Sequence, residues 1–81
     1  MILTHEQILE KVIEEVKKVT RKNLSNNSPL ITSGVVDSLT LMDIIVSFEE
    51  NFRISITAAD IQPENFDTPE QMSIVIRKKM T

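Results

Sequence analysis

Apolar residues recur near the start of the chain at steps of three and four: Ile8, Leu9, Val12, Ile13, Val16 and Val19. A helix completes a turn in 3.6 residues, so this spacing gathers them on one face. Ahead of them, Thr4-His5-Glu6-Gln7 has the form of a capping box, with Gln7 able to reach back to the Thr4 amide. Glu6, Glu10, Glu14 and Glu15 precede Lys17, Lys18, Arg21 and Lys22, the order of charge a helix dipole favours. The pattern predicts a helix over 5–21, with His5 a solvated residue of its first turn.

The periodicity then stops. Residues 23–36 hold Asn, Ser, Pro29 and the only glycine, Gly34, a composition too polar for a strand and too interrupted for a helix. So long a loop is uncommon in a compact domain and is often functional. Leu30, Ile31 and Val35 are expected to turn inward and pin it, with Gly34 supplying a backbone geometry that other residues resist. Asp37 is suited to cap a second helix, with Ser38 in its first turn. Leu41, Ile45, Phe48 and Phe52 form its core stripe, and the helix is expected to reach about Asn51. Leu39, Met42 and Val46 fall on an adjoining, more exposed side, while Asp43, Glu49 and Glu50 complete the polar surface.

Beyond it, Arg53-Ile54-Ser55-Ile56 reads as an extended connection and Thr57–Ile61 as one or two helical turns ended by Pro63. Thr68, Pro69 and Gln71 provide a cap, a first-position proline and a capping box for the last helix. Met72, Val75, Ile76 and Met80 offer its apolar face. Arg77-Lys78-Lys79 suits a helix C-terminus, and the methionines suit gap-filling. The expected fold is all-α: a bundle of three main helices plus one short helix, with a long loop between the first and second.

Composition narrows the function. At 81 residues the chain is expected to form a single domain, 1–81. It has no cysteine and one histidine, which leaves no disulfide and disfavours both a metal site and a Ser-His-Asp triad. There is no basic, apolar leader and no apolar run long enough to span a membrane, so a cytoplasmic protein is expected, with a monomer as the default. The net charge is −3, unevenly spread. Residues 1–36 carry +1, residues 37–70 carry −7 with Arg53 as their one base, and residues 71–81 carry +3. The acidic middle disfavours nucleic acid and favours a basic protein partner.

That middle opens with Asp37-Ser38-Leu39. A serine there has an exposed hydroxyl, an acid beside it, and the positive end of a helix dipole next to any phosphate it acquires. No base lies near it in sequence, so it suits covalent attachment better than nucleophilic catalysis. The chain is therefore not expected to be an enzyme.

Gly34-Val35-Val36-Asp37-Ser38-Leu39, then Ile44 through Phe52 with its Phe-Glu-Glu-Asn-Phe ending, then Ile54-Ser55-Ile56 and Asp60 through Phe66, together resemble the acyl carrier protein family, whose members bear 4′-phosphopantetheine. The resemblance implies that Ser38 is esterified to the cofactor phosphate by a phosphopantetheinyl transferase using coenzyme A, with Asp37 and Leu39 as recognition flanks. The arm's thiol would carry an acyl or aminoacyl thioester between a loading enzyme and later acyl-processing enzymes. Acids on the following helix of the family commonly meet basic patches on partner enzymes, and Asp43, Glu49 and Glu50 occupy such places. Leu39, Met42 and Val46, apolar and exposed near the root of the arm, suggest a partner contact of their own. Thr40 stands where fatty-acid synthesis carriers usually place an acid, and two residues rather than one separate Gly34 from Asp37. The Gly-x-x-Asp-Ser form looks more like carriers for aminoacyl, D-alanyl or polyketide-type intermediates than the housekeeping fatty-acid carrier. The alternative is a helical interaction module with no prosthetic group.

Overall fold

The computed structural model describes residues 3–80. They form helix α1 (His5–Thr20), helix α2 (Ser38–Phe52), a 3₁₀ turn (Ala58–Asp60), a short helix α3 (Pro63–Phe66) and helix α4 (Pro69–Lys79). Three long helices and a short one are thus present as expected. The short one lies after Pro63, not before it. Proline has no amide hydrogen, and a first helical position does not need one, so Pro63 starts α3 where the sequence reading had it end a helix. Thr57–Ile61 supplies only the 3₁₀ turn, in which the Asp60 carboxylate accepts the Thr57 amide at 2.9 Å.

Local chemistry sets the helix starts. The Gln7 amide donates to Thr4 Oγ1 at 3.1 Å while Gln7 Oε1 accepts the Thr4 amide at 2.9 Å. Thr68 and Gln71 repeat this box at the start of α4. At the other ends, Arg21 and Arg53 close α1 and α2 in the left-handed region, at φ 58° and 53°, a role glycine fills with less strain.

The core joins Ile8, Val12 and Val16 of α1 to Ile44, Ile45, Phe48 and Phe52 of α2 and to Met72, Val75 and Ile76 of α4. Leu30 and Val36 fill it from the loop before α2, and Phe66 from α3. Phe48 and Phe52 meet edge to face, their centroids 6.1 Å apart. The α2 stripe differs from expectation by one residue, since Ile44 is fully buried and Leu41 only half-buried. Met80 follows the end of α4 and is largely exposed.

Polar contacts orient the helices. Buried Glu15 on α1 accepts bonds from Ser47 and Asn51 of α2. His5, expected to be solvated, instead sits half-buried with Nε2 2.8 Å from Glu70 Oε1, so the first turns of α1 and α4 meet. Glu70 also donates its amide to Asn26 O at 2.9 Å. Because α1 is about 24 Å long, Asn26 can stand beside the His5 end only if the chain doubles back after Thr20. Residues 21–26 make that return. The Arg77-Lys78-Lys79 cluster does more than end a helix: Lys79 pairs with Asp60 at 2.6 Å and ties α4 to the 3₁₀ turn.

Candidate functional site

Ser38 begins α2 and is exposed. Asp37 immediately before it is extended, and its Oδ1 accepts the Thr40 amide at 2.8 Å. That bond, first among the causes, holds the Asp37 carboxyl below its ordinary value, so it is ionised at neutral pH. The helix end is therefore already capped by a negative side chain. A phosphate on Ser38 would stand beside that charge, at a helix end capped by Asp37 as the sequence suggested.

The segment leading to Ser38 is built from one reversal and one anchor. Gly34 makes the reversal, at φ 81°, and donates its amide to Ile31 O at 3.1 Å. A Cβ at Gly34 would meet nothing within 4 Å, so glycine is needed there for its backbone freedom and not for space. Val36 donates to Leu30 O at 2.9 Å and closes the loop. Leu30 is buried as expected, but Val35 is 41% exposed and Val36 takes the inward place at 3%. The Gly34 turn and the Val36–Leu30 bond set which valine faces the core.

The anchor is Asp67, between α3 and α4. Its Oδ1 accepts the amides of Ile31 and Thr32 at 2.8 and 2.9 Å, its Oδ2 accepts the Thr32 hydroxyl at 3.0 Å, and its carbonyl accepts the Leu30 amide at 2.7 Å. The Thr32 amide is the main cause holding the Asp67 carboxyl below its ordinary value. The sequence reading passed over this residue. The available signal was a polar loop rich in amides with no helix or sheet to satisfy them, which requires an acceptor from elsewhere.

Along α2 the exposed side shows Leu39 (80% exposed), Met42 (50%) and Val46 (47%), three apolar residues on the face that carries Ser38 into solvent. Asp43 and Glu50 are exposed beside them. Glu49 differs: it is half-buried, and its Oε2 accepts the Ile56 amide at 2.9 Å, securing the connection after α2. A separate cleft lined by Asp60, Asn65, Val75, Lys78 and Lys79 takes no residue from α2 or the loop before it. Among the described residues, no group of three or more His, Cys, Asp or Glu side chains is placed to hold a metal ion, and no helix is long and apolar enough to cross a membrane.

A family model described as the phosphopantetheine attachment site matches residues 7–76. An acyl carrier protein of Buchnera aphidicola subsp. Baizongia pistaciae (strain Bp) is 30% identical over 73 residues, 90% of this chain and 91% of that protein. A D-alanyl carrier protein of Bacillus mycoides (strain KBAB4) is 29% identical over 75 residues, 90% of this chain and 87% of its own. A D-alanyl carrier protein of Lactobacillus delbrueckii subsp. bulgaricus (strain ATCC BAA-365 / Lb-18) is 22% identical over 73 residues, 88% and 91% of the two chains.

Proposed function

Because the chain belongs to the phosphopantetheine attachment-site family of carrier proteins, we propose that Ser38 is the serine that bears the group. The chain is a carrier and not an enzyme, and 4′-phosphopantetheine is its covalent cofactor. The observation that supports Ser38 is its place: an exposed hydroxyl on the first turn of a rigid helix, within the matched span. In loading, Ser38 Oγ would attack the pantetheine-bearing phosphorus of coenzyme A. One O–P bond forms, the pyrophosphate bond breaks, and adenosine bisphosphate leaves. The serine proton would go to a base of the transferase. When bound, the group supplies a thiol, which the cysteine-free chain lacks, to hold cargo as a thioester.

The cargo of this reading is an acyl or aminoacyl group passed from a loading enzyme to acyl-processing enzymes, in the cytoplasm. D-alanyl carriers among the similar proteins, and Thr40 in place of an acid, support a specialised cargo. Partners would meet α2 through Leu39, Met42 and Val46, with Asp43 and Glu50 adding charge. Asp37 and Leu39 would flank the serine for the transferase. Family membership speaks against the module without a prosthetic group. The test is transfer of phosphopantetheine from coenzyme A to the purified chain, with Ser38→Ala alongside. A gain in mass confined to wild type is expected, and a gain that persists in the variant would overturn the assignment.

A further inference from the structure

We propose that Asp67 is a positioning residue for loading: it holds the segment before Ser38 in the form that the phosphopantetheinyl transferase recognises. This rests on Ser38 being the modified serine. A transferase acting at a helix start must meet chain on both sides of the serine. After Ser38 that chain is a rigid helix. Before it lies a loop whose order comes from a short series of contacts, and Asp67 is at their head.

The series runs from Asp67 through Leu30 and Val36 to Asp37. Asp67 takes the Leu30 amide on its backbone carbonyl and the Ile31 and Thr32 amides on its carboxylate, Leu30 takes the amide of Val36, and Asp37 and Ser38 follow directly. The two ends of the loop are also buried, Leu30 fully and Val36 at 3% exposure. Removing the Asp67 carboxylate therefore leaves the Leu30 and Val36 anchors in place while freeing the Ile31 and Thr32 amides, at the start of the turn that the Gly34 amide closes on Ile31 O. Amides bonded to a charged acceptor make stronger bonds than neutral pairs, so one side chain can hold the turn.

The effect on loading has a definite form. If the free protein holds the recognised loop only part of the time, apparent affinity falls by that fraction while the bound complex reacts as before. A loop ordered a tenth of the time raises KM roughly tenfold. The turnover number stays within a factor of about two.

The experiment compares full-length wild type, Asp67→Ala, Asp67→Asn and Val19→Ala in loading from coenzyme A by a broad-specificity transferase, with amide exchange measured on each unmodified protein. Val19, on α1, packs against the core and makes none of the Asp67 contacts, so it controls for a general loss of stability. Asp67→Ala should exchange the Ile31, Thr32 and Gly34 amides faster and show the raised KM. Asp67→Asn, which keeps an oxygen for the two loop amides, should recover part of it and stands in should the alanine variant not fold. Fast loop exchange with a wild-type KM would overturn the proposal, as would an equal rise in KM for Val19→Ala. If wild type itself gains no phosphopantetheine, the Ser38 assignment fails and takes this inference with it, while exchange still reports whether Asp67 orders the loop.

Discussion

Asn51, near the end of α2, donates its side-chain amide to the buried Glu15 carboxylate of α1 at 2.6 Å. The same oxygen accepts the Ser47 hydroxyl at 3.2 Å, and the other faces Lys18 Nζ at 3.2 Å. A buried acid is tolerated because Oε1 accepts two hydrogen bonds and Oε2, which accepts none, faces the Lys18 ammonium. It also fixes how α1 lies on α2, the helix that presents Ser38. Replacing Glu15 with Ala should lower unfolding free energy by about 1–3 kcal/mol, since a satisfied buried group is lost and Ser47 is left without its acceptor. Urea unfolding read by circular dichroism checks this; an unchanged midpoint would mean the contact contributes no net stability.

Glu49 and Glu50 are neighbours with different tasks. Glu49 holds the Ile56 amide and Glu50 stands in solvent. Glu49→Ala should cost about 1 kcal/mol of stability. Glu50→Lys should leave stability within about 0.5 kcal/mol and slow encounter with the transferase, the defect shrinking as salt screens the charge. Stopped-flow association at low and high salt, beside thermal melts, separates the two; equal behaviour of both variants would contradict the assignment.

Arg53 ends α2 in a left-handed conformation at φ 53°. A side chain there costs roughly 1–2 kcal/mol, which glycine avoids at the expense of greater freedom in the unfolded chain. Arg53→Gly should raise Tm by a few degrees, about 4–8 °C per kcal/mol gained in a domain of this size. Differential scanning calorimetry gives the sign directly. The reverse change, Gly34→Ala at φ 81°, should destabilise by about 1 kcal/mol through the backbone alone.

Acid should loosen the loop before it unfolds the bundle. The Asp67 and Asp60 carboxyls are both held below their ordinary value of 3.8, Asp67 by the Thr32 amide and Asp60 by Lys79 down to about 2. A depressed carboxyl contributes stability that is fully present above its unfolded value and lost as pH falls through its folded one. These two contacts should therefore be constant from neutral pH down to about 4 and weaken below it. Amide exchange of Ile31 and Thr32, corrected for intrinsic rate and followed from pH 7 to pH 3, should show protection steady and then falling at the acid end. A midpoint near pH 6 would point to a different group.

What the sequence disclosed was what lies within a turn or two of itself. The boxes at Thr4–Gln7 and Thr68–Gln71, the cap at Asp37 and the apolar steps of α1 all act over three or four residues, so they are visible in the chain. Asp67 lies 35 and 36 residues from the amides it accepts, and His5 lies 65 residues from Glu70; no local pattern marks either. Val35 was mistaken for Val36 because a loop has no period to say which side chain turns inward. Pro63 reads as a stop for Thr57–Ile61 but, with only a 3₁₀ turn before it, serves as a start. Ser38 is proposed as the attachment point because its residue type, neighbours and following helix agree, whereas the contacts ordering the loop before it come from another part of the chain.

Intact mass of the purified chain, before and after incubation with coenzyme A and a broad-specificity phosphopantetheinyl transferase, is the most direct trial, with Ser38→Ala run beside it. Ser38 is exposed, so the variant should fold like wild type, within about 0.5 kcal/mol. Wild type should gain the mass of one phosphopantetheine and Ser38→Ala none. A folded wild type that gains nothing from several transferases, or a Ser38→Ala variant that still gains the group, would contradict attachment at Ser38.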